Sequence, residues 1–353
     1  MSFTLIGFGQ AGSYAACLAY KSLSFYIKPN IFNSEFSIRS YLGSEFDTSV
    51  DTTIVVPKII FKDGTDRNIV RGMTLLRQNR DVFVNDISSI SDQVVIAVVA
   101  AGGGSGVAMC NEAIKYLLKQ NNQVIVVAFI PSEFEGNACG NSIIFLNELI
   151  TNYTDKIAII PCFIKSNKYI EADIEAYEYI KDITLPFILM RGSKARAINT
   201  LDRNELFNSI NGGNFLCISD TPNPKCDLTN LRKIVYYYMY TESYAEKVNI
   251  TDRNMITTKA FKQLSNKYGK LVKYGEVSIC EDNVNSAAIK EVREQYQGKN
   301  VYIFTNVEYK EKINISKQKV IELKNKLSST VTDIILDETK ERPKKDVYKD
   351  LTF

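Results

Sequence analysis

The chain has 353 residues, which is enough for two domains of ordinary size, and its 45% hydrophobic and 24% charged residues are typical of a soluble globular protein. A formal net charge of +3 gives no general argument for binding nucleic acid or an anionic membrane. The absence of histidine excludes the usual histidine-containing zinc sites and histidine acid–base chemistry, so catalysis would depend on carboxylates, a metal or backbone dipoles.

The seven cysteines form no CxxC pair, which favours reduced and mostly buried thiols over a metal site. We find no basic leader and no apolar segment of membrane-spanning length. These patterns predict a cytoplasmic protein without a membrane association.

Short apolar runs alternate with amphipathic stretches up to about residue 165, which predicts βαβ units and a mostly parallel sheet. The spacing predicts strands at 3–7, 54–61, 94–100, 124–130 and 157–163. It predicts helices between them at 13–23, 107–120 and 141–152, and a polar turn region between Gly64 and Gly72.

The second half of the chain predicts a smaller α/β domain. One long helix over 169–198, interrupted at Pro186, precedes an apolar run at 215–218 and a tyrosine-rich helix near 231–244. Strands at 270–280 and 301–305 would flank a helix at 286–296. A last amphipathic helix is predicted over 316–337, followed by a mobile tail over 340–353. The predicted segments are 1–168, a central helix 169–198, a C-terminal domain 199–308, and a terminal helix with tail 309–353.

The most informative stretch is the glycine cluster at 101–106, between an apolar run at 94–99 and a helical pattern. Bare backbone N–H groups at such a junction, with a helix N-terminus behind them, favour phosphate binding. A second strand-glycine-helix junction lies at 7–13. Two loops of this kind, able to converge on one polyphosphate, predict a nucleotide-binding site.

A dinucleotide-binding oxidoreductase is an alternative interpretation. The segment 7–12 fits G-x-G-x-x-G, and Glu35 lies about twenty residues beyond it, where that motif places an acidic residue. The motif does not explain the cluster at 101–106. A Walker loop does not fit either, since no lysine follows Gly106.

Three motifs together resemble the tubulin and FtsZ superfamily of GTPases. They are Gln10-Ala11-Gly12, the segment Ala-Gly-Gly-Gly-Ser-Gly at 101–106, and Glu133-Phe134-Glu135-Gly136, in the family's order and spacing. The resemblance covers about residues 1–220. It implies a Rossmann-like GTP-binding domain at 1–168, a central helix and a smaller activation domain, with GTP or GDP and Mg²⁺ as cofactors.

The resemblance also implies roles for individual residues. The first phosphate loop would be Gly9, Gln10, Ala11 and Gly12, with Gln10 near the metal or the β-phosphate. Mg²⁺ would otherwise be held by phosphates and water. The α- and β-phosphates would lie on Ala101, Gly102, Gly103, Gly104, Ser105 and Gly106.

Further contacts are implied around the γ-phosphate and the base. The γ-phosphate and its Mg²⁺ would lie near Asn33, Ser34 and Glu35, and the sensing loop would be Gly64, Thr65 and Asp66. Glu135 belongs to the third motif and is included in the nucleotide site. On the long helix, Tyr177 would stack on guanine and Asp182 would accept from its N1 and N2. The alternative is that Tyr177 simply packs in the core.

The carboxylates Asp202 and Glu205 are the candidate catalytic residues. They are three residues apart at the start of a helix, so both can address one water, although D-x-x-E is also a helix-capping pattern. The resemblance places them in a loop that completes the nucleotide site of a neighbouring subunit. It therefore implies head-to-tail filaments and hydrolysis activated by polymerisation.

Within the superfamily, the terminal helix and lysine-bearing tail look most like the TubZ group, the partition tubulins of plasmids and phages. This implies a bacterial cytoplasm, DNA partition, and a DNA-bound, TubR-like adaptor contacted by Lys340, Arg342, Lys344, Lys345 and Lys349. A solvated tail without partner is the alternative, and direct DNA binding is not expected. Two other functions stay open, a nucleotide-binding scaffold with little hydrolysis and the dinucleotide-dependent oxidoreductase.

Overall fold

The structure is a computed structural model that describes residues 2–23, 29–35, 58–132, 135–165, 169–189, 201, 203–281 and 289–309. In its first part, six strands alternate with helices: β1 Ser2–Phe8, α1 Gly9–Leu23, β2 Asn30–Ser34, β3 Lys58–Phe61, α2 Ile69–Gln78, α3 Arg80–Ser88, β4 Gln93–Ala100, α4 Ser105–Lys119, β5 Gln123–Ile130, α5 Gly136–Tyr153 and β6 Ile157–Phe163. The later elements are α6 Tyr169–Leu189, α7 Arg203–Ile210, β7 Asn214–Ser219, β8 Lys233–Thr241, α8 Glu242–Ala245, α9 Ile250–Tyr268, β9 Leu271–Ile279, α10 Ile289–Gln295 and β10 Gln297–Thr305.

The described strands form one sheet in the order β3-β2-β1-β4-β5-β6-β7-β10-β8-β9. Strands β1 to β6, here called the parallel half, all run in one direction. Strands β7 to β10 form the mixed half, in which β10 runs antiparallel to both β7 and β8. The two halves are joined where β6 pairs in parallel with β7. Within the mixed half, β8 pairs in parallel with β9.

The parallel half is built from continuous apolar strands because both of its faces are covered. Along β4, Val94, Ile96 and Val98 belong to one buried cluster, while Val95 and Val99 belong to the cluster on the opposite face. A strand buried on both sides needs apolar residues at every position rather than at alternate ones. The predicted α/β class and parallel sheet are therefore confirmed.

The prediction of a tyrosine-rich helix near 231–244 is wrong, because this segment forms strand β8. Its side chains divide between two faces, with Tyr237 in the cluster next to α6 and Tyr236, Tyr238 and Tyr240 in a separate cluster. β-branched and aromatic side chains fit a pleated, buried surface better than a helix. The strand therefore forms where aromatic spacing alone suggested a helix.

Several other boundaries differ from the expectations. Gly72 lies inside α2 rather than at a turn, because the Asn68 side chain accepts a hydrogen bond from Arg71 N (3.0 Å) and starts that helix early. The helices α2, α3 and α9 were not predicted. Helix α6 includes Pro186, whereas the continuation to residue 198, the start of the strand at 54–57 and the terminal helix and tail lie outside the described residues.

Burial of the cysteines agrees with the prediction, since five of them are buried and Cys226 and Cys280 are partly exposed. Among the helices that the structure describes, none has both the length and the apolar character needed to cross a membrane. The predicted domain boundaries stay predictions.

Candidate phosphate-binding site

The candidate site lies at the carboxyl edge of the parallel half. Strands β1, β4 and β5 are neighbours in the sheet, and each is followed by a helix, namely α1, α4 and α5. Because these strands are parallel, the three helix N-termini gather at one edge of the sheet. Helix N-termini carry unpaired N–H groups and a positive partial charge, which favours an anion there.

The two glycine-rich segments are in direct contact. Gly9 has a positive φ of 69°, and a Cβ at this position would lie 3.0 Å from the Cα of Gly106 and 3.2 Å from its nitrogen. Gly12 is buried against the carbonyl oxygen of Val98, so it packs α1 onto β4. Gln10 is exposed and Ala11 partly exposed at the first turn of α1. The segments therefore converge as the sequence predicted.

The second glycine segment leads into α4. Gly104 is the N-cap residue of this helix, and as a glycine it makes no side-chain capping hydrogen bond. At the base of the segment, Ala101 N donates to Phe129 O (2.9 Å) and Gly103 N donates to Ala100 O (3.0 Å). The loop is thus held by its own backbone, and the helix N-terminus is available for an anion.

The segment at 64–68 packs directly on this glycine loop. The buried Thr65 hydroxyl lies 3.0 Å from Ser105 Oγ. A Cβ on Gly104 would collide with Thr65 Oγ1 and lie 2.7 Å from Asn68 O. Gly64 has open space around it. Thr65 and Ser105, forty residues apart, are therefore brought together at the site.

Two residues of this site were missed by sequence reasoning, Arg67 and Asn141. Arg67 Nη1 lies 3.0 Å from Glu135 Oε2. The amide of Asn141 on α5 donates to Arg67 O (2.6 Å) and to Gly102 O (3.2 Å). A basic residue directly after Gly64-Thr65-Asp66 was the available signal for Arg67, whereas Asn141 carries no local signal.

The residues at the end of β2 lie beside β1 in the sheet. Asn33 and Ser34 are buried, and Asn33 Oδ1 accepts a hydrogen bond from Ser34 N (2.8 Å). Glu35 follows the strand and is partly exposed. This segment therefore ends at the same edge of the sheet as the glycine loops, and its role toward a metal or phosphate stays a prediction.

The two residues predicted to hold the base lie along α6. Lys181 Nζ lies 4.3 Å from the centre of the half-buried Tyr177 ring. Asp182 is 6% exposed and its Oδ1 lies 2.6 Å from Lys299 Nζ, while Tyr237 OH donates to its backbone oxygen (2.7 Å). Burial raises the pKa of Asp182 above its usual range, and the Lys299 ammonium opposes that rise.

The described contacts of Asp182 are with the mixed half and not with the glycine segments. Asp182 is thirteen residues after the first residue of α6, which corresponds to about 20 Å along a helix axis. An ion pair between α6 and β10 is the role that these contacts support. Its role toward guanine stays a prediction.

Of the two candidate catalytic acids, Glu205 is described by the structure, and it lies at the other end of the strands. Asp202 lies outside the described residues, but its neighbour Leu201 donates its backbone N–H to Glu276 O of β9 (3.2 Å). Glu205 is in the first turn of α7, and its Oε1 lies 2.6 Å from Lys273 Nζ. Lys273 is the third residue of β9, close to that strand's amino end.

Strand direction separates Glu205 from the glycine segments. Because β8 and β9 run in the same direction as the parallel half, the amino end of β9 is at the edge opposite to the one where β1 and β4 end. One subunit therefore presents Glu205 and the carboxyl edge of the parallel half at opposite ends of its strands. This carboxyl edge, where the glycine segments predict phosphate binding, is here called the phosphate-binding edge.

No metal-binding cluster of three or more cysteine, aspartate or glutamate side chains occurs within the part of the chain that the structure describes. The phosphate-binding edge offers backbone N–H groups and the amide of Gln10. These groups suit phosphate oxygens. A hard cation such as Mg²⁺ usually takes most of its ligands from phosphate oxygens and water.

No protein-family model and no curated protein sequence matches the chain. Solved structures do match. CetZ from Methanosaeta thermophila strain DSM 6194 is 15% identical, with a TM-score of 0.61 over 96% of this chain and 93% of that one. The TubZ of Clostridium botulinum phage c-st is 13% identical, with a TM-score of 0.55 over 94% and 98%.

A third match is CetZ2 from Haloferax volcanii, solved as a GTPγS-bound protofilament. It is 15% identical, with a TM-score of 0.63 over 93% of this chain and 100% of that one. These structures span nearly the whole chain, so the resemblance in fold inferred from the glycine motifs is confirmed. The chain has the fold of the tubulin and FtsZ superfamily.

Proposed function

We propose that this chain is a tubulin-like GTPase that binds GTP at the carboxyl edge of its parallel half and assembles head to tail into filaments. The contact between Gly9 and Gly106 supports a polyphosphate ligand, because two backbone loops then face one site. A dinucleotide fingerprint alone would not require the second loop. This contact favours a GTPase over the dinucleotide-dependent oxidoreductase.

The observation that carries the proposal is the opposite placement of the glycine segments and Glu205. Within one subunit the acid and the phosphates cannot meet, but a second subunit stacked in the same orientation brings its Glu205 edge to the first subunit's phosphate-binding edge. Such a contact joins different surfaces and does not close on itself, so filaments form. CetZ2 from Haloferax volcanii was solved as a protofilament, which supports this mode of assembly.

The chemistry would be phosphoryl transfer to water. The backbone N–H groups at the start of α4 and α1 would hold the α- and β-phosphates and spread their charge. Bound Mg²⁺ would neutralise phosphate charge, with Gln10 as the candidate protein ligand. Asp202 and Glu205 of the docked subunit would orient the attacking water, and the Lys273 ammonium fixes the Glu205 carboxylate before docking.

The finer biological role follows the TubZ of Clostridium botulinum phage c-st, one of the structures with this fold. We extend the proposal to partition of plasmid or phage DNA in a bacterial cytoplasm. The basic residues of the terminal tail would contact a DNA-bound, TubR-like adaptor. That tail lies outside the described residues, so the support for this step is the sequence and the fold.

The test is phosphate release and light scattering with GTP, GDP, ATP and NAD. We expect GTP alone to support both scattering and phosphate release. Asp202→Ala and Glu205→Ala should lower hydrolysis about a hundredfold, the range for a lost general acid or base, while GTP binding persists. Asn208→Ala, an exposed change on the same helix as Glu205, is the matched control and should hydrolyse normally.

Three results would decide against the proposal. Normal hydrolysis by either acid variant would remove that acid from the mechanism. Filaments with GTP but without phosphate release would favour the nucleotide-binding scaffold. Binding of NAD in place of GTP would favour the oxidoreductase.

A further inference from the structure

Arg67 lies at the phosphate-binding edge with its backbone fixed on the glycine loop. Its carbonyl oxygen accepts a hydrogen bond from Asn141 Nδ2 (2.6 Å), and the same amide also reaches Gly102 O (3.2 Å). One side chain on α5 therefore joins Arg67 to the segment that would hold phosphate. These hydrogen bonds fix the Arg67 backbone next to the second glycine segment.

The backbone at this point adopts a conformation that L-residues rarely take. Asp66 and Arg67 have φ values of 48° and 59°, both left-handed. The turn is closed by Asn68 N, which donates to Thr65 O (2.8 Å), and Asn68 then caps α2. Consecutive left-handed residues other than glycine are unfavourable and persist where the surroundings impose them, often at functional sites.

The guanidinium of Arg67 has one described partner, the carboxylate of Glu135 at 3.0 Å. The Arg67 side chain is 58% exposed, whereas that of Glu135 is 12% exposed. Glu135 is held a second time, because its Oε1 accepts from Ser132 N (3.3 Å). The carboxylate is therefore the fixed member of the pair, and the arginine is the member that can move.

We propose that Arg67 distinguishes a nucleoside triphosphate from a diphosphate. Glu135 holds the guanidinium while the γ-phosphate position is empty, and Arg67 transfers to the γ-phosphate oxygens when a triphosphate binds. This inference rests on the proposed function and assigns a specificity-determining residue to the same site.

The exchange is favourable for physical reasons. The Arg67 side chain is 58% exposed and stays solvated when it leaves Glu135, and the largely buried Glu135 carboxylate keeps its hydrogen bond from Ser132 N (3.3 Å). A guanidinium binds phosphate through two parallel hydrogen bonds, which are stronger than a single contact to a carboxylate.

The experiment compares dissociation constants for GDP and a slowly hydrolysed GTP analogue, measured below the concentration at which the protein assembles. The variants are Arg67→Ala and Arg67→Lys. The matched control is Arg71→Ala, because Arg71 lies on the next turn and pairs with Asp66 at 3.3 Å instead of Glu135. Binding of GDP by every variant shows that the site is folded.

We expect Arg67→Ala to lower the preference for the analogue over GDP about tenfold, with GDP affinity within about twofold of the wild type, as for loss of a charged hydrogen bond. Arg67→Lys should keep part of the preference, because lysine keeps the positive charge but lacks the planar guanidinium that donates two parallel hydrogen bonds. Arg71→Ala should keep all of it.

An unchanged preference in Arg67→Ala, or an equal loss in Arg71→Ala, would overturn the inference and leave the proposed function intact. A wild-type protein that binds neither guanine nucleotide would instead refute the proposed function.

Discussion

The tyrosine hydroxyls of strand β8 in the mixed half and the backbone donors at the start of α4 in the parallel half are satisfied differently. In the mixed half, two tyrosine hydroxyls of β8 join it to its neighbouring strands: Tyr240 OH donates to Glu276 Oε2 (2.7 Å) and Tyr236 OH to Asn300 Oδ1 (2.9 Å). At the phosphate-binding edge of the parallel half, α4 begins at Gly104 without a side-chain cap. A polar group left without a protein partner costs stability unless something else binds it.

This difference suggests that the mixed half serves mainly for stability and that the phosphate-binding edge serves for binding. Tyr236 and Tyr240 of the mixed half link its strands, whereas the proposed role of the phosphate-binding edge is to bind a ligand with its backbone donors. Substitutions in the mixed half should therefore change stability, whereas substitutions at the phosphate-binding edge should change nucleotide affinity.

The largest expected effect is on stability, at the buried pair Arg253 and Glu276. Their side chains are 4% and 1% exposed, and Arg253 Nε lies 3.3 Å from Glu276 Oε2. Arg253→Met leaves a buried carboxylate without its cation, which should lower the free energy of unfolding by about 3–5 kcal/mol. Urea denaturation measures this change, and GTP affinity of the folded variant should stay at the wild-type value.

Arg232→Ala is the control for that prediction. Arg232 pairs with Asp155, but both side chains are more than half exposed, at 58% and 57%. Its removal should cost less than about 1 kcal/mol. Equal losses for the two variants would mean that burial does not set the strength of these pairs.

The next effect is on binding, at Gly104. A Cβ there would lie 2.7 Å from Asn68 O and would collide with Thr65 Oγ1, so Gly104→Ala should displace the loop and weaken GTP binding up to about a hundredfold. Titration with a fluorescent GTP analogue measures it. Gly269→Ala, at the left-handed end of α9, should instead cost about 1–2 kcal/mol of stability and leave GTP affinity unchanged.

The smallest effect is expected for Thr65→Val, which keeps the shape of the side chain and removes the hydrogen bond to Ser105 Oγ. One such bond contributes about 1 kcal/mol, so GTP affinity should fall about fivefold. Thr74→Val on α2 removes a hydrogen bond to Val70 O and is the matched control. If Thr74→Val weakened GTP binding equally, the contact of Thr65 with Ser105 would have no special role.

Local sequence patterns predicted the parallel half well. The run at 94–99 is apolar at every position because its strand is buried on both faces, and glycine at 9 and 104 is needed where two backbones approach. Both signals are contained in a few consecutive residues. The convergence of the loops and every strand of the parallel half except β2 could therefore be predicted without a structure.

The rest depended on contacts between distant residues. Tyr236 and Tyr237 looked helical until the sheet supplied a different buried face for each. Asp182 was assigned to the base, and its partner Lys299 lies 117 residues away. The pair of Arg67 and Glu135 spans 68 residues. No local pattern encodes such pairs, because the fold alone brings them together.

The central claim is that Glu205 acts on a nucleotide held by another subunit. The most direct measurement is the rate of phosphate release per subunit as a function of protein concentration at saturating GTP. We predict almost no release at low concentration and a steep rise once subunits assemble, with the rise abolished in Glu205→Ala. A rate per subunit that is the same at every concentration would show that one subunit hydrolyses GTP alone, and would contradict this account.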